Sequence, residues 1–519
     1  MRGIGFGVLL LLSAAAFAGP TRREIDVVSE AIEAWDTIQA AAKLAPLEAS
    51  FPGDPDVEFL KARLAFYRAE YAKAVGYLEP VLAASPNDKA ALAAQSLFKS
   101  TLAALSRRET VTTSKGRFVI SYAPGPDEVL IPYLDEALET AYDELGKVFD
   151  ERPSEPVRVE LLERPEQLAA VSPLKASEIK TTGTIALCKY NRLMMVTPRA
   201  LVYGYPWLDA VVHEYVHLLV TRRSRNTVPV WIHEGLAKYY ETRWRDPGPP
   251  RLSRQSEDLL SRGLHQKTLI RFEAMSPSIA KLPSAEDAAL AYAQVFTVVG
   301  MLARSGGEYD VRKLIDAMRS GASDRAALEL VTGKNFTRFE REWKNTLFGM
   351  NLRVLPAHAE MKLLFKDDEH KDDELESLGE EEARNLTGIA DRLAVRKRYG
   401  AAAKEYQKAL EKAGGANPLV SARLASVLLK LGSPTQVEAV VTPAIEIEPD
   451  HVLLYVYRGK ARLATGNVEG ARRDLELGIR LNPFDPETHG LLAEALTRLG
   501  ETGAAERERR HHRLVAAPE

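Results

Sequence analysis

The stretch VVHEYVHLLVT, residues 211–221, places two histidines four positions apart, with a glutamate directly after the first. Pro206 can begin a helix just before it, because proline lacks only a proton donor that the first helical turn does not use. Apolar residues are so frequent over 207–221 that the pattern predicts a largely buried helix. On this helix His213 and His217 lie one turn apart and point the same way.

This pair of histidines favours a metal site. Two imidazoles on one face of a helix can bind a single tetrahedral zinc ion. Glu214 points about 100° away from His213, so it can reach a water on the metal without being a ligand, as a general base must. The alternative is a pair of core helices whose histidines are hydrogen-bonded and bind no metal. Burying such polar residues on apolar helices is costly without a purpose, which favours the metal site.

A third ligand is offered by VPVWIHEGLAKYYE, residues 228–241, which predicts a second apolar helix after a short turn. Glu234 and His233 both qualify, and because adjacent residues on a helix cannot both face one ion, the other must lie behind the site or on the surface. Spacing alone leaves this choice open. Gly235 costs about 1 kcal/mol in a helix interior, which indicates that this helix packs closely on the first one.

The two motifs together resemble those of the gluzincin metallopeptidases, in particular the peptidase MA-like group. In that group a HExxH helix is followed by a WxxEGxAxY helix. The resemblance implies that His213, His217 and Glu234 bind one zinc ion and that Glu214 is the catalytic base. It puts His233 at a variable position.

The resemblance extends over about residues 115–350, because the stretch from AYAQVF at 291–296 to WKNTL at 343–347 is similar to the helical tail of the same group. Related enzymes often supply a tyrosine from a later helix as oxyanion donor, which makes Tyr292 the candidate here. The alternative is a tyrosine that only packs. Asp209 and Glu241 are candidates for orienting the ligands, or for surface positions.

The middle of the chain is rich in β-type runs. GRFVISYAP (116–124), PVRVELLE (156–163), GTIALCK (183–189) and RLMMVTP (192–198) are bounded by Gly, Pro and Asn and are followed by helical patterns. Strands followed by helices predict an α+β domain. Either of the last two strands could form the edge to which an extended peptide substrate adds.

A period of 34 residues marks the C-terminal part. It relates Gly432, Gly466 and Gly500, and it also relates Pro449 to Pro483. This pattern resembles the tetratricopeptide repeat, in which small residues let paired helices approach closely. Pro52 and Pro86, in a similar context, have the same spacing and indicate further helical repeats near the N-terminus.

Composition and termini bound the class of protein. The 519 residues carry a net charge of −3, which gives no reason to expect a nucleic-acid partner. Residues 1–18 have the pattern of a cleaved signal peptide, and we expect no stable membrane span after cleavage. The single cysteine, Cys188, cannot form an internal disulfide. We therefore expect an exported bacterial protein, periplasmic or secreted.

These observations predict a multidomain chain. Its expected parts are a signal peptide (1–18), tetratricopeptide-like repeats (19–108), an α+β zincin-type metallopeptidase domain (110–350), a charged linker (351–383) and further repeats (384–519). The expected function is zinc-dependent peptide hydrolysis, with repeats that bind substrates or protein partners. The alternatives are an interaction scaffold whose hydrolase domain is inactive or structural, and a hydrolase of a non-peptide amide bond.

Overall fold

A computed structural model describes residues 19–355, 365–366, 373–376 and 378–517. The predicted signal peptide at 1–18 lies outside these residues. Contacts divide the chain into two compact units, one ending at Lys99 and the other beginning at Ser100.

The first unit consists of antiparallel helix pairs. Trp35 and Ala69, which follow the first and third helices, both have positive φ angles, of 60° and 59°. They lie 34 residues apart and occupy equivalent turns, yet neither is glycine, which explains why the repeat is faint in the sequence. The helices are α1 (Arg22–Glu33), α2 (Thr37–Ser50), α3 (Pro55–Tyr67), α4 (Tyr71–Ala84) and α5 (Lys89–Ala104), the last of which continues into the second unit.

The second unit begins with a mixed five-stranded sheet in the order β1-β2-β3-β5-β4. The two inner pairings, β2 with β3 and β3 with β5, are parallel, and both edge strands are antiparallel to their neighbours. The edge nearest the predicted site is therefore GTIALCK, and RLMMVTP is an inner strand. The strands are β1 (Glu109–Thr112), β2 (Phe118–Tyr122), β3 (Val157–Leu162), β4 (Ala186–Lys189) and β5 (Arg192–Val196).

Helix α9, which carries the two predicted histidine ligands, packs on β4 and β5 and also contacts α6, α10 and α12. Its residues Val212, Tyr215 and Val216 are fully buried, as the apolar pattern predicts. The helices of this region are α6 (Ile131–Phe149), α7 (Pro165–Val171), α8 (Ala176–Thr182), α9 (Trp207–Ser224), α10 (Val230–Tyr240), α11 (Arg254–Gln266), α12 (Ala285–Arg319), α13 (Asp324–Thr332) and α14 (Phe336–Gly349).

Among the described residues, α12 alone is long and apolar enough to cross a membrane, which the sequence analysis did not expect of any mature segment. The burial of α12 is that of a core helix, because 56% of its apolar window lies inside the protein. Its helical geometry is interrupted at Gly306 and Gly307, where φ is −134° and 65°.

The C-terminal helices form a second set of antiparallel pairs. Gly432, Gly466 and Gly500 all have positive φ angles, between 70° and 84°, at the turns after α18, α20 and α22. The 34-residue period therefore marks a repeated left-handed turn that favours glycine. The helices are α15 (Asp373–Glu376), α16 (Glu381–Val395), α17 (Tyr399–Lys412), α18 (Pro418–Lys430), α19 (Pro434–Ile447), α20 (Val452–Thr465), α21 (Val468–Leu481), α22 (Pro486–Arg498) and α23 (Thr502–Ala516).

These repeats contact the loop that leads into α9. The backbone N–H of Tyr205 donates to the carbonyl of Leu481 at 2.9 Å. Gly204 has a φ of +73°, and a Cβ atom there would lie 2.1 Å from the same carbonyl oxygen. The start of the helix that carries His213 is thus held against the repeats by a contact that only glycine permits.

Replacing Gly204 by Ala is expected to destabilise the protein more than the same change at Gly466. Both glycines have positive φ angles, but nothing lies within 4 Å of a Cβ atom at Gly466. The two variants share the backbone strain, and Gly204→Ala adds an overpacking cost of about 1–3 kcal/mol. Thermal unfolding measures the difference, and equal losses of stability would contradict the close contact.

Glu448, at the end of α19, predicts a pH-dependent stability. Burial, and then the charge of Asp450, raise its pKa from 4.5 to about 7. The folded state therefore holds a proton that the unfolded state releases, and stability should fall by up to about 3 kcal/mol as pH rises from 4.5 to 7. Glu448→Gln should reduce this slope, whereas Glu411→Gln, at an exposed position on α17, should keep it. Urea unfolding between pH 4.5 and 8 tests this, and an unchanged slope in Glu448→Gln would refute it.

Candidate metal centre

Three of the predicted side chains converge on one point. The Nε2 atoms of His213 and His217 lie 3.1 Å apart. The Oε2 atom of Glu234 lies 3.4 Å from the first of these nitrogens and 3.5 Å from the second. Ligands at about 2.0–2.1 Å from a tetrahedral zinc ion are about 3.3–3.4 Å apart, so these residues fit zinc.

Two neighbouring helices produce this convergence. Helix α9 is followed by two residues in the left-handed conformation, Arg225 and Asn226. The chain then turns back and enters α10 after Pro229. Glu234 then lies opposite the histidines. Gly235 does not serve the expected contact with α9: a Cβ atom there would lie 2.9 Å from Val299 Cγ2, a residue of α12. The glycine lets α10 approach α12 instead.

A carboxylate orients the first histidine. His213 Nδ1 lies 3.0 Å from Glu241 Oε2, and the other oxygen of Glu241 accepts a bond from Lys238 at 2.6 Å. Burial disfavours the charge of Glu241, but Lys238 and His213 together lower its pKa below the ordinary value. Of the two roles that the sequence left open for Glu241, orienting a ligand or lying at the surface, its contact with His213 fits the first. Asp209 instead pairs with Arg245 and with the Trp244 indole N–H.

The second histidine has a different partner. His217 Nδ1 lies 2.7 Å from His233 Nδ1, and His233 Nε2 lies 3.3 Å from Thr221 Oγ1. Burial, and then the charge of His217, lower the pKa of His233 to about 3, so this ring is neutral at physiological pH. Helix geometry requires the member of the pair 233–234 that is not a ligand to lie behind the site or on the surface, and the sequence leaves those two positions open. The structure places His233 behind His217.

Glu214 lies beside the ligands without joining them. The residue is 7% exposed, and its carboxyl group lies near the backbone of Cys188 on β4. Burial raises the pKa of Glu214, against the opposing charges of His217 and His213. A carboxyl group whose proton affinity is raised by burial is suited to accept a proton during a reaction.

Tyr292 is also brought to the site, from α12. Its hydroxyl group lies near Glu234, and burial, followed by the charge of Glu234, raises its pKa well above the ordinary value. The hydroxyl is therefore protonated and available as a donor.

A second cluster, His489, Glu508 and His511, lies at the end of the repeats and is fully buried. Glu508 there accepts bonds from His489 at 2.8 Å, from the Arg507 guanidinium at 3.1 Å and from the Tyr133 hydroxyl at 3.4 Å. Its carboxylate is thus already surrounded by donors. Since His213, His217 and Glu234 are partly exposed whereas the residues of the second cluster are buried, the first cluster is the one that a substrate can reach.

Comparisons with known proteins find one family match and several similar solved structures. Residues 139–349, which contain the whole site, match the family model of the Peptidase MA superfamily. A search of curated proteins found no match. The first TPR domain of human RPAP3 is 24% identical, covers 24% of this chain and 95% of its own, and has a TM-score of 0.22.

Two further solved structures match part of this chain. The Arabidopsis OM64 TPR domain is 25% identical over 23% of this chain and 96% of its own, with a TM-score of 0.21. YrrB, a TPR protein with an unusual peptide-binding site, is 15% identical over 39% of this chain and 92% of its own, with a TM-score of 0.24. Scores this low carry no functional information. The family match, by contrast, covers the residues of the site, so residues 139–349 are similar to the Peptidase MA superfamily, and helical repeats accompany them in this chain.

Proposed function

We propose that this protein is a zinc-dependent peptidase of the gluzincin type, with an α+β zincin-type catalytic domain. The observation that carries the proposal is the convergence of His213, His217 and Glu234 at 3.1–3.5 Å, with Glu214 adjacent but outside the ligand set. Three protein ligands leave one tetrahedral position open, which is typical of catalytic rather than structural zinc sites.

Each residue has a defined part in the reaction. A zinc ion bound here would polarise the scissile carbonyl and make water more acidic. Glu214 accepts the proton of the attacking water and passes it to the leaving amine, which its raised pKa favours. Tyr292 is proposed to donate to the developing oxyanion, because its protonated hydroxyl already lies at Glu234.

The edge strand β4 is the proposed substrate platform. It pairs only with β5 among the described strands, so its other edge can hydrogen-bond to an extended peptide. The backbone of Cys188, on this strand, also lies near Glu214. A peptide added to β4 would thus lie directly beside the base.

The remaining expectations stand as proposals. We propose export through the signal sequence at 1–18 to the periplasm or beyond, with the domain boundaries given above. The repeats are proposed to bind protein partners or substrates, because stacked helix pairs present a concave surface. The expected partners are peptides or proteins, and not nucleic acids.

Digestion of a broad peptide library tests the proposal. We expect cleavage by the zinc-loaded protein, its loss after chelation and its return on adding zinc, with products identified by mass spectrometry. If the protein binds one equivalent of zinc and cuts no peptide, the scaffold alternative is favoured. Cleavage restricted to cell-wall amides would favour the non-peptide hydrolase.

A further inference from the structure

The side chain of His233 lies between His217 and Thr221. Its Nδ1 atom is 2.7 Å from His217 Nδ1, and its Nε2 atom is 3.3 Å from Thr221 Oγ1. Thr221 is only 3% exposed and follows His217 by one helical turn on α9. The contacts therefore link α10 back to the helix of the ligand itself.

Counting hydrogens assigns a direction to this chain of contacts. His217 Nε2 faces the other two ligand atoms, so its lone pair must be free to bind a metal and its proton must be on Nδ1. Two ring nitrogens 2.7 Å apart repel unless one carries a hydrogen, so His217 Nδ1–H donates to His233 Nδ1. His233 then carries its own proton on Nε2 and donates to Thr221.

We propose that His233 is a positioning residue that holds His217 in the tautomer and orientation required for metal binding, with Thr221 orienting His233 in turn. The inference rests on the proposed zinc binding and not on peptide hydrolysis. A ligand histidine usually donates its second N–H to a carboxylate, a carbonyl or water. In this site the acceptor is instead a neutral imidazole, that of His233.

The charge of the site explains why a neutral partner is suitable. Glu214, Glu234 and Glu241 already place three carboxyl groups around the two ligand histidines. A fourth carboxylate behind His217 would raise the proton affinity of its neighbours, because like charges close together disfavour ionisation. An imidazole supplies the acceptor without the charge, so His213 and His217 are oriented by different chemistry.

Two substitutions of similar size separate hydrogen bonding from packing. His233→Leu fills the space without an acceptor, whereas His233→Asn keeps an oxygen where Nδ1 was. Zinc affinity is measured by competition with a chromogenic chelator on the full chain, with His265→Leu on the surface of α11 as control. We expect His233→Leu to bind zinc about 10–100-fold more weakly, and His233→Asn and the control to stay close to the wild type. Thr221→Val should weaken binding by less than about tenfold.

Equal affinities of His233→Leu and the wild type would overturn the proposal, and so would a loss in His233→Asn as large as in His233→Leu. If His233→Leu does not fold, unchanged affinity in Thr221→Val overturns it. A wild-type protein that binds no zinc would contradict the proposed function itself, and with it this inference. These failures are distinguishable, since only the last removes zinc from every variant.

Discussion

Glu214→Gln is expected to lower kcat/KM for peptide cleavage by about 10²–10⁴-fold while the protein retains one equivalent of zinc. The residue is outside the ligand set, so its loss removes proton transfer and not the metal. Glutamine has nearly the same size and shape, so the variant should keep the packing around this position. Initial rates on a cleaved library peptide, with metal analysis of the same samples, measure both quantities.

The same variant should gain stability when it is free of zinc. Burial raises the folded-state pKa of Glu214 above its unfolded value, so its stabilising contribution is lost as pH rises through that range. At pH 7, where the same carboxyl group in the unfolded chain is ionised, the raised pKa of the folded state is a cost that glutamine does not carry. A higher melting temperature of Glu214→Gln at pH 7, but not at pH 4, is the expected pattern.

Full peptidase activity of Glu214→Gln would rule out Glu214 as the base.

His217→Ala and Glu234→Ala are each expected to reduce bound zinc from one equivalent to nearly none. Each removes one of three converging donors, and two remaining ligands cannot complete a stable site. Elemental analysis after dialysis against a weak chelator measures the content. His265→Ala, at an exposed position on α11, is the matched control and should retain a full equivalent.

The second cluster gives this experiment a further use. If zinc persists in His217→Ala but disappears when Glu508 is also replaced by Gln, the ion was bound among His489, Glu508 and His511. That outcome would contradict the assignment of the metal centre. Persistence of zinc in Glu234→Ala alone would leave a two-histidine site and remove the third ligand from the proposal.

Local sequence was sufficient to predict the features that depend on neighbouring residues within one helix or turn. The four-residue spacing of His213 and His217 sets their common face, because helical geometry is the same in every protein. Glycines at a 34-residue period identified the repeats, since a left-handed turn selects glycine. Where Trp35 and Ala69 take that conformation, the same turn is not visible in the sequence.

Contacts between separate elements depended on the tertiary fold. Strand β1 pairs with β2 although its residues Glu109–Thr112 carry little apolar pattern, because an edge strand needs only one partner. The place of Gly235 against α12, and of Gly204 against the repeats, follows from how whole helices pack. The side chains that contact each ligand histidine, Glu241 and His233, are likewise determined by how the helices pack.

The amino-acid order thus carries the common face of His213 and His217, the position of the proposed base beside them and the repeat period, because each is a short-range property of helix or turn geometry. Whether Glu241 and His233 stand behind the ligands, and whether β4 or β5 forms the open edge, depends on the angle and register at which distant segments meet. Those are properties of packing, which sums many weak contacts over the whole domain and leaves no local signature.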